Sequence, residues 1–149
     1  MGLLDTTNEE PKSKARRLAV SGVALALLLA LTVWYFFRFH AEKRVVEHFF
    51  DALVAGNTQR AYQIWQPRSS YAYKDFVEDW GPSGYYGPVK SYRIETAQNP
   101  QGGGSGVIVV VTISPFAPFP ADDDPAKARR MREVRIWVEG SDHSLSFPP

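Results

Sequence analysis

The sequence predicts an α+β protein: a transmembrane helix, then three helices packed on a curved antiparallel sheet of about four strands. Three observations carry this. Leu18 to Phe37 is a run without charge; the stretch from Ala41 to Trp80 repeats its apolar residues at helical spacing; and beyond Pro88 the period changes to two. Helices followed by an antiparallel meander are the α+β order, with apolar helix faces closing the concave side of the sheet.

The run LAVSGVALALLLALTVWYFF gives roughly 30 Å of helix at about 1.5 Å per residue, the thickness of a bilayer's hydrocarbon layer. A cleavable secretory signal has a shorter apolar region and a small-residue cleavage site, whereas this run passes into Trp34, Tyr35, Phe36, Phe37, Arg38 and Phe39. Aromatic rings suit the headgroup zone and Arg38 can reach lipid phosphate. Leu18, Leu28, Trp34, Tyr35, Phe37 and Arg38 are therefore the expected anchor residues. Lys12, Lys14, Arg16 and Arg17 precede the span, and Arg38, Lys43 and Arg44 follow it, a small excess of cations on the N-terminal side. The expected layout has residues 1–17 as a polar, basic cytoplasmic tail, 18–37 as a single pass through the inner membrane and 38–44 as a juxtamembrane segment. Residues 45–149 form the domain outside the cytoplasm. Absence of cysteine excludes acylation as a lipoprotein and excludes disulfides. A net charge of +1 supplies no general field for nucleic acid.

Beyond the anchor roughly 110 residues remain, enough for one core and too few for two. In AEKRVVEHFFDALVAGN, Val45, Val46, Phe49, Phe50, Leu53 and Val54 share a helical face, and Gly56 with Asn57 supplies a left-handed stop. Thr58 can cap a short second helix carrying Ala61, Tyr62, Ile64 and Trp65, ended by Pro67. A third helix follows in SSYAYKDFVEDW, capped by Ser69 or Ser70, with Tyr73, Phe76, Val77 and Trp80 on one face; GPSGYYGP terminates it. Tyr92, Ile94 and Thr96 then alternate with Ser91, Arg93 and Glu95. VIVVVTIS, Val107 to Ser114, is a β-branched run; Val134, Ile136 and Val138 alternate with Arg135, Trp137 and Glu139; and a fourth strand is expected at Ser144–Phe147. NPQGGGSG reads as a mobile hairpin loop and GSDH as a tight turn.

VVEHFFDALVAGNTQRAYQIW resembles the opening of the nuclear-transport-factor-2-like superfamily: an aromatic-rich helix, a Gly-Asn break and an Ala-aromatic second helix. GPVKSYRIETA is similar to that family's first strand. The likeness covers the region after the anchor and is greatest to short, membrane-anchored bacterial members of unassigned function. It implies a cone, a curved sheet wrapped round the helices with an apolar pocket at its open end. Members of the superfamily include isomerases, dehydratases, ligand binders and partner-binding modules, so fold alone does not decide function.

Enzymes of that family need a pocket-facing Asp, His or Tyr in apolar surroundings. His40, His48 and His143 are scattered along the chain, too far apart in sequence to announce a metal cluster, and Asp51, Asp75 and Asp79 fall on polar helix faces where solvated carboxylates are expected. The chain is accordingly read as no enzyme, with no catalytic residue, cofactor or metal. Tyr62, Trp65, Phe76, Trp80 and Tyr92 are the candidate lining of a pocket for a small apolar ligand; aromatics at this spacing also build cores, and Trp65, Trp80 and tyrosines filling the cavity would favour an interaction module. In ISPFAPFPADDDPAKARRMREV the contiguous Asp122, Asp123 and Asp124 lack the alternation of a calcium loop. Asp124 instead reads as an N-cap with Pro125 as the first helical residue and Lys127, Arg129 and Arg130 near the helix end. PFAPFP cannot join a central strand, so Phe116 and Phe119, with Arg129, Arg130 and Arg132, form the candidate contact with a partner, another membrane or periplasmic protein. The expected role is a membrane-anchored interaction or assembly module; a binder of an apolar ligand is the alternative, and an isomerase-like enzyme the third reading.

Overall fold

A computed structural model describes residues 10–65 and 70–149, and the chain divides into two units after Arg38. The first contains α1, Glu10–Phe37. This helix reaches beyond the apolar run through Lys12 to Arg17, because Lys, Ala and Arg extend a helix at little cost once a stable segment adjoins them. The described part of the expected tail is thus helical from residue 10. Every described side chain from Lys12 to Phe37 is exposed, Leu18, Leu28, Trp34, Tyr35 and Phe37 included. The Ser21 and Thr32 hydroxyls donate to the carbonyls of Leu18 and Leu28 at 3.0 and 2.7 Å, which satisfies them within the helix. By length and composition α1 can cross a membrane. The Arg38 guanidinium lies 5.2 Å from the centre of the Trp34 ring.

In the second unit α2, His40–Val54, buries Val46, Phe49, Phe50, Ala52 and Leu53. Its end is the expected left-handed stop: Gly56, at φ 75°, donates to Leu53 O at 3.0 Å and Asn57 donates to Ala52 O at 2.9 Å. The cap of α3, Thr58–Trp65, is Asn57 and not Thr58, since Asn57 Oδ1 accepts from the Arg60 N–H at 3.0 Å while Thr58 already belongs to the first turn. Pro67 and Ser69 lie outside the described residues. Helix α4, Tyr73–Trp80, starts after Ala72 rather than Ser70, and the Asp75 carboxylate reaches back to the Ala72 N–H at 3.3 Å. After α4 the loop turns so sharply that a Cβ on Gly87 would sit 1.9 Å from Gly81 O.

Four strands form one open antiparallel sheet in the order β1-β2-β3-β4: Ser91–Gln98, Val107–Ser114, Arg132–Val138 and Leu145–Ser146. The fourth is shorter than expected. Val111 stands opposite Ile94 on one side and Val134 on the other, which aligns the β-branched rows. Glu95 bulges out of β1, so the alternation slips there and Ala97, not Thr96, returns to the helix side. Thr96 is exposed.

Rings fill the space between helices and sheet. Phe49 lies 5.0 Å from Phe50, 5.1 Å from Trp65, 5.1 Å from Trp80 and 6.1 Å from Phe76, mostly edge to face. Val109, Val111, Ile136 and Val138 close this layer from the sheet.

Candidate functional site

Past β2 the chain leaves the ladder. The Ser114 Oγ accepts from the Phe116 N–H at 3.1 Å, and the Ser91 hydroxyl donates to Phe116 O at 2.6 Å; the two serines face each other across β1 and β2 and so fix where the segment departs. Phe116 and Phe119 are half-buried, yet neither belongs to the core cluster. Cations cover their faces instead: Arg130 at 5.1 Å and Lys127 at 5.9 Å from the Phe116 centroid, Arg93 at 4.8 Å from that of Phe119. The peptide before Pro118 is cis. Asp124 caps α5, Pro125–Ala128, by accepting from the Lys127 N–H at 3.1 Å, as the sequence leads one to expect. The same hydrogen bond, then the Lys127 ammonium, holds the Asp124 carboxyl below the ordinary range.

The short α5 turn delivers Arg129 and Arg130 beside Arg132, the first residue of β3. These three guanidinium-bearing residues border a pocket of about 220 Å³ whose other walls include Tyr86, Gly87, Pro88 and Ser114. Arg132 donates to Tyr85 O and lies 5.1 Å over the Tyr85 ring. Burial raises the Tyr86 hydroxyl above its usual value, with the Tyr85 and Asp79 charges adding to the shift and Arg132 opposing it. The two phenylalanines and three arginines expected to meet a partner therefore share one segment, with Arg130 joining them.

A second concavity, about 420 Å³, lies against Trp65, Tyr71, Trp137, Leu145 and Phe147. Of the five expected lining residues only Trp65 borders it. Phe76 and Trp80 are interior, 0% and 2% exposed, and pack in the core; Tyr62 donates its hydroxyl to Tyr71 O at 2.9 Å; and Tyr92 stacks on Phe50 at 5.2 Å. Helical spacing places a ring on the buried face but does not distinguish a packed interior from a hollow one. Phe147, a wall of this concavity, carries no motif.

Two carboxylates read from the sequence as solvated have phenolic partners. The Tyr92 hydroxyl donates to Asp51 at 2.7 Å and the Tyr71 hydroxyl to Asp79 at 2.6 Å. Both phenols are raised, by burial first and by these hydrogen bonds second. His48 is exposed on α2, and His143 sits at φ 56° in the β3–β4 turn. Among the described residues no three His, Cys, Asp or Glu side chains gather as a metal-ligand set. Comparison with protein-family models, curated proteins and solved structures finds no match.

Proposed function

We propose that the chain is a single-pass membrane-anchored interaction or assembly module without catalysis of its own. In this reading α1 is a signal anchor with the N-terminus in the cytoplasm. The α+β domain is a nuclear-transport-factor-2-like cone outside the inner membrane, and the partner is another membrane or periplasmic protein. The observation that carries the proposal is the filled interior. Phe49, Phe50, Trp65, Phe76 and Trp80 are buried together in the core between helices and sheet, whereas Phe116, Phe119 and three arginines lie outside that core on one segment. Aromatic rings joined to arginine are what interface hot spots contain. The concavity beside Trp65 favours a second reading, a binder of a small apolar ligand, because its volume and ring-lined wall suit such a guest.

A photo-crosslinking residue at the exposed Ala117, in cells making the full chain, tests the first reading. One discrete adduct is expected at 117, none from Lys74 on α4, and none at 117 when Phe116→Ala and Phe119→Ala are combined. Equal adducts from both positions, or none from either, would overturn it. Protease added to spheroplasts should remove the domain; protection would reverse the topology. Native mass spectrometry should find an apolar guest, lost on Leu145→Trp, if the second reading holds instead.

A further inference from the structure

We infer that the pocket edged by Arg129, Arg130 and Arg132 binds the phosphate group of a phosphomonoester. Three of the four acidic side chains on and beside this segment are engaged by other cations, and the fourth, Asp123, forms no ion pair with the pocket arginines. Asp122 pairs with Arg93 at 3.3 Å, Asp124 with Lys127 at 3.2 Å, and Glu133 with Arg135 at 3.3 Å. Among the described residues none of the three pocket arginines forms an ion pair, and no carboxylate-bearing residue lines the pocket that they border. Like charges on one rim repel one another, and an anion bound there would offset that repulsion.

Two of the guanidinium groups are oriented without spending their charge. Arg130 lies on the Phe116 ring at 5.1 Å, and Arg132 lies on the Tyr85 ring at 5.1 Å while donating to the Tyr85 carbonyl. Groups held in place beforehand lose less freedom when a ligand arrives. Two elements supply the three arginines, Arg129 and Arg130 at the end of α5 and Arg132 at the start of β3. A planar carboxylate offers two oxygens, whereas a phosphate monoester carries about −1.5 to −2 charges and presents three acceptor oxygens in a tetrahedron. The arginine number and charge match the phosphate better. At about 220 Å³ the pocket is smaller than sites that enclose a whole drug-sized ligand, so it suits a head group with the remainder of the molecule outside.

This deepens the interaction reading by naming what the same segment recognises, and the two can fail separately. Calorimetric titration of the full chain in a neutral detergent with glycerol 3-phosphate should give saturable binding that weakens as salt rises. Glycerate, which carries a carboxylate in place of the phosphate, should bind at least tenfold more weakly. Arg129→Gln with Arg130→Gln should weaken phosphate binding at least tenfold, and Arg135→Gln, outside the pocket, should not. If the glutamine variant melts early, Arg129→Lys with Arg130→Lys keeps the charges but removes the forks, and should still lose affinity. Nanodiscs of phosphatidylcholine with and without phosphatidic acid separate the sources of the group. Competition by phosphatidic acid identifies a lipid head group; undiminished binding in its presence identifies a soluble ester. No binding of either ester, equal binding of glycerate, or wild-type affinity in both double variants would overturn the assignment. Loss of the crosslink at 117 with phosphate binding intact would sink the interaction reading alone.

Discussion

The Tyr71 hydroxyl donates to the Asp79 carboxylate at 2.6 Å, tying the chain that enters α4 to that helix's last turn. Tyr92 makes the same bond to Asp51 on α2 from the first strand. Each phenol is raised above 10.0, and an unfolded tyrosine ionises near 10. A raised folded value means that the stabilisation is complete below pH 10 and fades as pH rises through the folded value, because only the unfolded chain gives up its protons first. Urea unfolding between pH 9 and about pH 12 should show this loss, and it should be shallower in Tyr71→Phe with Tyr92→Phe. Parallel curves would refute the link. At pH 7 Tyr71→Phe alone should cost about 1 kcal/mol.

Truncation at the centre of the ring cluster should be far more damaging. Phe49 is fully buried against four aromatic neighbours, so Phe49→Ala should cost about 3–5 kcal/mol and lower the denaturant midpoint. A loss below about 1 kcal/mol would mean that the layer collapses onto the gap and is less tightly packed than described.

The glycine-rich β1–β2 loop separates two kinds of glycine. A Cβ on Gly106 would lie 2.2 Å from the Trp137 indole, whereas one on Gly102 meets nothing within 4 Å. Gly106→Ala should shift the tryptophan emission and destabilise the fold; Gly102→Ala should do neither. Similar spectra for the two variants would show that the indole has another seat.

Glu139 fastens the same loop. Its carboxylate accepts from the Ser105 hydroxyl, from the Trp137 indole at 3.3 Å and from the Gly140 N–H at 3.0 Å. The Ser105 bond first, and the Trp137 bond second, hold the group below its ordinary 4.5. A lowered folded value contributes stability that is present above the unfolded value and lost as pH falls through the folded one. The protection factors of the Ser105 and Gly106 amides, corrected for the intrinsic pH dependence of exchange, should therefore fall below pH 4.5 in the wild type. Glu139→Gln should remove the pH dependence of protection, and a variant with the wild-type protection profile would exclude Glu139 as its origin.

Local pattern announced the elements whose neighbours in space agree with their neighbours in sequence. The β-branched run 107–114 is a strand whose alternate residues Val109 and Val111 meet apolar partners on both sides, and Gly56 and Asp124 act where their own backbone requires them. Decisions made across the fold were hidden. The Glu95 bulge carries its carboxylate to the Thr112 hydroxyl at 2.8 Å, which period two cannot foretell, and Asp51 finds its phenol on a strand forty-one residues away. The loop expected to be mobile is held at its end by Trp137 and Glu139, both supplied by a later strand or turn. The contact segment was legible as prolines interleaved with rings and cations. The pairing of Asp122 was not, because Arg93 reaches it from β1 only in three dimensions.

The meander has a cost in time as well as in form. Each strand pairs with the next one made, so pairing within the sheet is between sequence neighbours, with the long 115–131 segment between β2 and β3. The aromatic face of α2 has no such convenience. Phe49 and Phe50 leave the ribosome before any strand, and the rows that cover them, ending with Ile136 and Val138, follow on the order of ten seconds later at ordinary synthesis rates. During that interval the apolar face of α2 stands uncovered. The chain should therefore depend on a holding chaperone most strongly between the synthesis of α2 and that of β3.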